Sequence, residues 1–343
     1  MQLKIKKQTL QLKQTFTISR GSRTSVDNVI VMLNYADKIG LGEATANPYY
    51  NITTDIIERE LLSLEDFLTD YQFTTPEQFW FDLYPMLKSN PFALCALDEA
   101  AHDLYGKIRN KPLFELWKLD NSKSPLSNYT LGIDEIPKMI QKIKEIPWPV
   151  YKIKLGTEND LEIVKALRKE TDAIFRVDAN GGWTAEQCIY FSKEFIKMGV
   201  EFIEQPLPVL ETITMKEVYK YTKLPLIADE SCIVEDDVQS CFGMFHGVNI
   251  KLMKCGGITP ARRMIRKARA LGMKVMVGCM TESSVGISSI AHLAPELDYV
   301  DMDGAMLIKN DPATGVDLNY GKIKYKKLPG HGANLTPDAI ANY

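Results

Sequence analysis

Five polar residues close successive short apolar runs in the middle of this chain: Lys154 after VYKI, Asp178 after AIFRV, Glu204 after EFI, Asp229 after PLIA and Lys251 after GVNI. They follow one another at intervals of 24, 26, 25 and 22 residues. That interval holds one strand, one helix and two short loops, the repeating unit of a (β/α)8 barrel. In such a barrel the C-terminal ends of the strands share one mouth, so residues distant in sequence face a common pocket. A lysine, three carboxylates and a second lysine are thus expected around one site.

The chain has 343 residues, more than the about 250 of one barrel, and the surplus predicts a second, smaller domain. Residues 1–120 read as α+β, with a strand from Val29 to Leu33, a turn near Asp37 to Gly40, a short strand toward Glu43 and helical periodicity from Asp55 onward. The last helix there opens with Asn90 as N-cap and Pro91 in its first turn, carries Leu94, Leu97, Ala101 and Leu104 on one face, and ends near Gly106. Residues 121–315 alternate strand and helix. One helix starts at Thr184 with Gln187 three residues on, a capping box, and stops at Gly199; another starts at Thr259 and Pro260 and stops at Gly272. Residues 316–343 are expected to return to the first domain.

Composition removes several classes of function. A net charge of −3 spread along the chain gives no electrostatic footprint for nucleic acid. No apolar run approaches the ~18 residues of a membrane helix, and the first residues, MQLKIKKQTL, alternate apolar and basic side chains like a strand rather than forming a secretory signal. The six cysteines (Cys95, Cys188, Cys232, Cys241, Cys255 and Cys279) make no CxxC pair, and most sit in apolar stretches. A cytoplasmic enzyme with no nucleic-acid or membrane partner is expected, and the sequence leaves a homo-oligomer open.

With the YTLGI run at Tyr129 as the first strand, Lys154 ends the second, Asp178 the third, Glu204 the fourth, Asp229 the fifth, Lys251 the sixth, Gly278 the seventh and Asp301 the eighth. The second and sixth strands are four apart, so Lys154 and Lys251 face each other across the mouth with the carboxylates on the arc between them. All-oxygen ligation suits Mg²⁺, and His102, His246, His292 and His331 lie away from these strand ends, which disfavours zinc. Such a site suits removal of a proton next to a carboxylate, because a cation stabilises the charge that develops on the two oxygens. Lys152, on the same strand face as Lys154, is expected to lower its pKa. Two bases on opposite faces of a planar intermediate invert the carbon. Singly, each feature has a plainer reading: a solvated strand, a helix N-cap or a turn. Together, in barrel register, they do not.

The runs YKIKLG, RVDANGGW, IEQP, ADES, NIKLMKCGGIT and MVGCMTESSVGISS resemble the enolase superfamily, in particular its muconate-lactonizing-enzyme subgroup. The resemblance implies an α+β capping domain on a modified (β/α)7β TIM-type barrel. It also implies Lys154 and Lys251 as the two bases, Asp178, Glu204 and Asp229 as ligands of one Mg²⁺, and Lys152 as a contact to the substrate carboxylate. Within the subgroup, Asp301-Met302-Asp303 resembles the DxD pair with which dipeptide epimerases bind the α-ammonium group, so a dipeptide substrate is implied. Thr130 matches the family's threonine on the first strand, and the backbone contact to the peptide falls at Cys279 to Thr281. Members acting on L-Ala-D/L-Glu carry an arginine where this chain has Gly21, with Arg20 beside it and Arg23 two further on; neutral or hydrophobic dipeptides are equally open. The same lysines and metal also serve N-acylamino acid racemases, o-succinylbenzoate synthases and cycloisomerases.

Overall fold

The computed structural model describes residues 1–341. The first three strands, β1 (Gln2–Ile18), β2 (Gly21–Tyr35) and β3 (Lys38–Thr45), form an antiparallel sheet in the order 1-2-3. The strand-like alternation of the first ten residues is the first half of β1, and the sequence expectation also held the middle of β2 and the end of β3. β1 is 17 residues long and continues to Ile18, well past the alternating run that opens the chain.

The helix Pro91–Arg109 packs against β3 and carries the Asn90 cap, its side chain accepting from Ala93 N at 3.1 Å. It runs past Gly106 because Asn110, with φ 52°, adopts the left-handed conformation that ends it.

Eight parallel strands follow: β4 (Tyr129–Leu131), β5 (Val150–Lys154), β6 (Ile174–Asp178), β7 (Val200–Glu204), β8 (Leu226–Ala228), β9 (Gly247–Ile250), β10 (Lys274–Gly278) and β11 (Tyr299–Asp301). Each pairs with the next in chain order, and a parallel bridge between Ser127 and Val300 joins the last to the first. Helices connect the first seven, whereas β11 is followed by a single 3₁₀ turn, Gly304–Leu307. This is the (β/α)7β barrel with an antiparallel capping domain. The capping box at Thr184 and Gln187 is present, and Gly199 is left-handed at φ 69°. After Lys251 a short helix, Leu252–Cys255, precedes the long one, which begins at Ile258 rather than Thr259.

The cap is locked to the barrel by carboxylates that satisfy backbone N–H groups. Glu43 on β3 accepts from Ser283 N, Ser283 Oγ (2.6 Å) and Gly286 N (3.0 Å) at the start of the helix Ser284–Ala291. Asp98 accepts from Thr259 N (2.8 Å) and Thr259 Oγ1 (2.7 Å) at the start of the helix Ile258–Ala270. Both side chains are fully buried at helix N-termini, where backbone N–H groups without intrahelical partners need acceptors. The approach is so close that a Cβ on Gly257 would stand 2.3 Å from Asp98 Oδ2. The tail adds further ties, including His331 N to Asp103 Oδ1 at 3.0 Å and Lys6 Nζ to Ala339 O at 2.9 Å. Among the described residues no helix is long and apolar enough to cross a membrane.

Candidate active site

The polar residues at the strand ends come together at one end of the barrel: Lys154, Lys251 and Asp301 line a cavity there, and the three carboxylates cluster against the two lysines. Asp178, Glu204 and Asp229 lie on adjacent strands or just beyond them, are all buried, and bring carboxylate oxygens within 4.8 Å of one another. Lys154 and Lys251 line one cavity of about 430 Å³, reached from β5 and from the residue after β9, strands four apart in the barrel. Lys154 Nζ is 2.6 Å from Asp178 Oδ2, and Lys251 Nζ is 2.7 Å from Asp229 Oδ2.

Crowding three buried carboxylates makes each proton equilibrium depend on its neighbours. Burial and the nearby Asp178 charge push Glu204 up to about 7. Burial also disfavours charge on Asp178 and Asp229, but the ammonium groups of Lys154 and Lys152 lower the first, and those of Lys251 and Lys254 hold the second well below the carboxylate range. Lys251 is itself raised: burial opposes its charge, and Asp229 outweighs burial. Glu204 Oε2 lies 2.7 Å from the Lys152 ammonium yet accepts no well-aligned hydrogen bond. Three hard oxygen donors, one of them lacking a hydrogen-bond partner, fit a divalent cation such as Mg²⁺.

Lys152 sits at the carboxylate cluster. It is 1% exposed, does not line the cavity, and points its ammonium at Glu204 (2.7 Å), Asp301 (2.9 Å) and Asp178 (3.3 Å). Its charge is countered by three carboxylates, which hold it well above the usual lysine range even though burial opposes this.

Asp301 and Asp303 both line the cavity, with Thr130 and Cys279 beside them. Thr130 N donates to Asp303 Oδ2 at 2.6 Å, and Cys279 N donates to Asp301 O at 2.8 Å. The lysine beside Asp301 overrides burial and lowers it to about 2, whereas burial and the Asp301 charge raise Asp303 to about 7. Burial and the same two aspartates push the Cys279 thiol well up, so it is a poor nucleophile.

Arg20 reaches the cavity but is engaged within the protein. Its Nη2 is 2.7 Å from Glu230 Oε1, its Nη1 donates to Asn180 O at 3.0 Å, and the guanidinium lies 4.4 Å from the centroid of the Tyr49 ring. It clasps the β1–β2 turn to the barrel rather than presenting a free cation. Arg23 lines the cavity as well, near Phe16, Ile18 and Leu307.

The site also holds groups that the strand-end argument passed over. Lys254 Nζ is 2.6 Å from Asp229 Oδ1, Asn249 Nδ2 donates to Glu204 Oε1 at 2.8 Å, and Asn180 Nδ2 donates to Glu230 Oε1 at 3.2 Å. All lie inside the motifs quoted above, within a few residues of a strand end, so proximity to that position is the signal that finds them.

Comparison with known proteins agrees with this architecture. Residues 1–117 match the N-terminal domain of the mandelate racemase / muconate lactonizing enzyme family, and residues 138–339 match the enolase C-terminal domain-like family. The chain is 52% identical to an L-Ala-D/L-amino acid epimerase of Flavobacterium johnsoniae, over 98% of this chain and 100% of that protein. It is 53% identical to a protein of the same name from Maribacter sp., over 98% and 99%. A crystal structure of a dipeptide epimerase from Cytophaga hutchinsonii, complexed with Mg and the dipeptide D-Ala-L-Val, superposes with a TM-score of 0.94 at 26% identity, covering 100% of this chain and 97% of that one. With both of its domains matched and relatives this similar along its whole length, the chain belongs to the mandelate racemase / muconate lactonizing enzyme family of the enolase superfamily.

Proposed function

We propose that this protein is a Mg²⁺-dependent dipeptide epimerase that inverts the α-carbon of the C-terminal residue, with L-Ala-D/L-amino acid dipeptides as substrates. One observation carries the reading: two lysines enter a single cavity from strands four apart, and an aspartate pair lines the same cavity. Lys154 and Lys251 act on opposite faces of the α-carbon. The neutral amine of one takes the α-proton, and the ammonium of the other returns a proton to the opposite face, so that charge and atoms balance over the turnover.

Asp178, Glu204 and Asp229 are the metal ligands in this reading. Bound there, Mg²⁺ would supply positive charge that stabilises the charge developing on the substrate. Lys152 acts from below, fixing Glu204 and Asp178 in place. Asp301 and Asp303 hold the α-ammonium end, Thr130 orients Asp303, and the backbone at Cys279 borders the peptide. Arg20 shapes the cavity through its clasp on Glu230. The wall formed by Phe16, Ile18, Leu307 and Arg23 accommodates apolar as well as acidic side chains. A cytoplasmic setting follows from six cysteines that are all free thiols.

The test is incubation of the Mg²⁺-loaded protein with L-Ala dipeptides in D₂O. Deuterium should enter the α-position of the C-terminal residue as the inverted diastereomer accumulates, both read by mass spectrometry and chromatography. Better turnover of N-acylated amino acids than of any free dipeptide would assign the protein to a racemase of the same family instead.

A further inference from the structure

Asn128 lies just before β4, is fully buried and takes no part in lining the cavity. Its side-chain amide nevertheless bridges two charged groups. Nδ2 donates to Asp301 Oδ1 at 2.7 Å, and Oδ1 accepts from Arg176 Nη1 at 3.3 Å. Arg176 is fixed in turn. Its Nε donates to Glu201 Oε2 at 2.8 Å, its Nη1 donates to Val300 O at 3.2 Å, and the guanidinium lies 5.5 Å and 5.1 Å from the rings of Phe202 and Tyr299.

The second oxygen of Asp301 is also committed, since Oδ2 lies 2.9 Å from Lys152, whose ammonium touches Glu204 and Asp178. A continuous file of side chains therefore runs from Glu201 and Arg176 through Asn128 and Asp301 to Lys152 and the carboxylate cluster. Asp303 is held differently. Among the described residues its side-chain carboxylate accepts hydrogen bonds from Thr130 alone, which leaves it freer to accept from a ligand.

We propose that Asn128 is a positioning residue for the epimerase reaction, fixing Asp301 as the anchor of Lys152 and leaving Asp303 as the principal acceptor of the substrate ammonium group. The inference rests on the dipeptide reading above. An amide suits the position because it donates to a carboxylate and accepts from a guanidinium at once; a carboxylate cannot donate, and an aliphatic side chain can do neither. Without it, a buried carboxylate oxygen and a buried guanidinium each lose a partner, and Asp301 is free to turn away from Lys152.

The experiment is a double-mutant cycle in the Mg²⁺-loaded, full-length protein, using the L-Ala dipeptide that the unmodified enzyme turns over fastest. Both kcat/KM and calorimetric dipeptide affinity are measured. Asn128→Leu should lower kcat/KM by roughly tenfold or more in the wild-type background, yet by less than about twofold in the Asp301→Asn background, because its effect passes through Asp301. Asn128→Asp preserves shape and covers the case in which Asn128→Leu does not fold. Its loss should be partly rescued by adding Asp301→Asn, since an amide at position 301 can donate to a carboxylate at 128. Equal losses in both backgrounds, no loss in the wild-type background, or no rescue would overturn the assignment. A wild-type protein that exchanges the α-proton of no free dipeptide would instead overturn the epimerase reading.

Discussion

Lys254 holds Asp229 twice, donating to Oδ1 at 2.6 Å and to the backbone carbonyl at 2.5 Å. Lys251 takes the other carboxylate oxygen. Asp229 is thereby fixed by a fully buried lysine that does not line the active-site cavity, while the other lysine, Lys251, does line it. Removing Lys254 leaves a buried carboxylate short of its internal counter-charge, a change that costs about 3 kcal/mol or more in such pairs. Lys254→Met should therefore unfold at lower denaturant concentration, and added Mg²⁺ should recover part of the difference. Equal stability of variant and parent without metal would remove this role from Lys254.

For Glu204 the expected outcome concerns the metal. Glu204→Gln replaces a charged donor with a neutral one at an oxygen cluster, so epimerisation should be abolished and Mg²⁺ affinity, measured calorimetrically, should fall. Undiminished activity of the parent after exhaustive chelation would defeat the metal assignment itself.

The two lysines should be separable. Lys154→Ala and Lys251→Ala should each eliminate net inversion, while each variant retains α-proton exchange for the one configuration its remaining base can reach. NMR in D₂O with the two diastereomers supplied separately reads this directly. Wild-type inversion in both variants would rule out a two-base mechanism.

The aspartate pair sets a dependence on the substrate amine. Charge-assisted hydrogen bonds to an ammonium group are worth about 1.5 to 3 kcal/mol, so Asp303→Asn should cost roughly tenfold to a hundredfold in kcat/KM on free dipeptides. N-acylated analogues, which lack the positive charge, should lose much less. A loss that is the same for both substrate types would show that Asp303 serves the fold rather than the amine.

Asp98 provides a pH signature of stability. Burial raises its folded-state pKa to about 8, against an ordinary value near 3.8. Between those values the unfolded chain has released a proton that the folded protein keeps, so stability declines as pH rises from about 4 to about 8 and levels off above. Asp98→Asn removes the proton equilibrium while keeping an acceptor for Thr259 N. Urea unfolding at pH 5.5 and 7.5 should show a smaller decline in the variant than in the parent; identical declines would exclude Asp98 as the source.

The strand ends were legible because a barrel makes them periodic, and a lysine or aspartate after three or four apolar residues is conspicuous. The capping box of Thr184 and Gln187 and the Asn90 cap were legible for a related reason, since both are local. Contacts across the fold were not. The helix after Lys251 begins earlier than its Thr-Pro signal because Gly257 and the cap's Asp98 together start it, and Asp98 is 161 residues away. The ion pairs of Lys152 and Arg20 are of the same kind: their partners, Glu204 and Glu230, lie on or just beyond strands from other parts of the chain. Spacing predicts where a side chain starts, whereas the nearest opposite charge decides where it ends.

The carboxylates that tie the cap to the barrel also limit how such proteins can be recombined. Glu43 and Asp98 find their donors at the starts of two barrel helices, Ser283 with Gly286 and Thr259. A cap transplanted onto a barrel with different loops at those two points would carry two dry, unpaired acids into the joint, and the barrel would be left with bare N–H groups. The cap shares in lining the cavity, so a new substrate preference cannot be imported as a detachable part. It has to arrive as substitutions that leave the seam intact, or with both sides of the seam exchanged together.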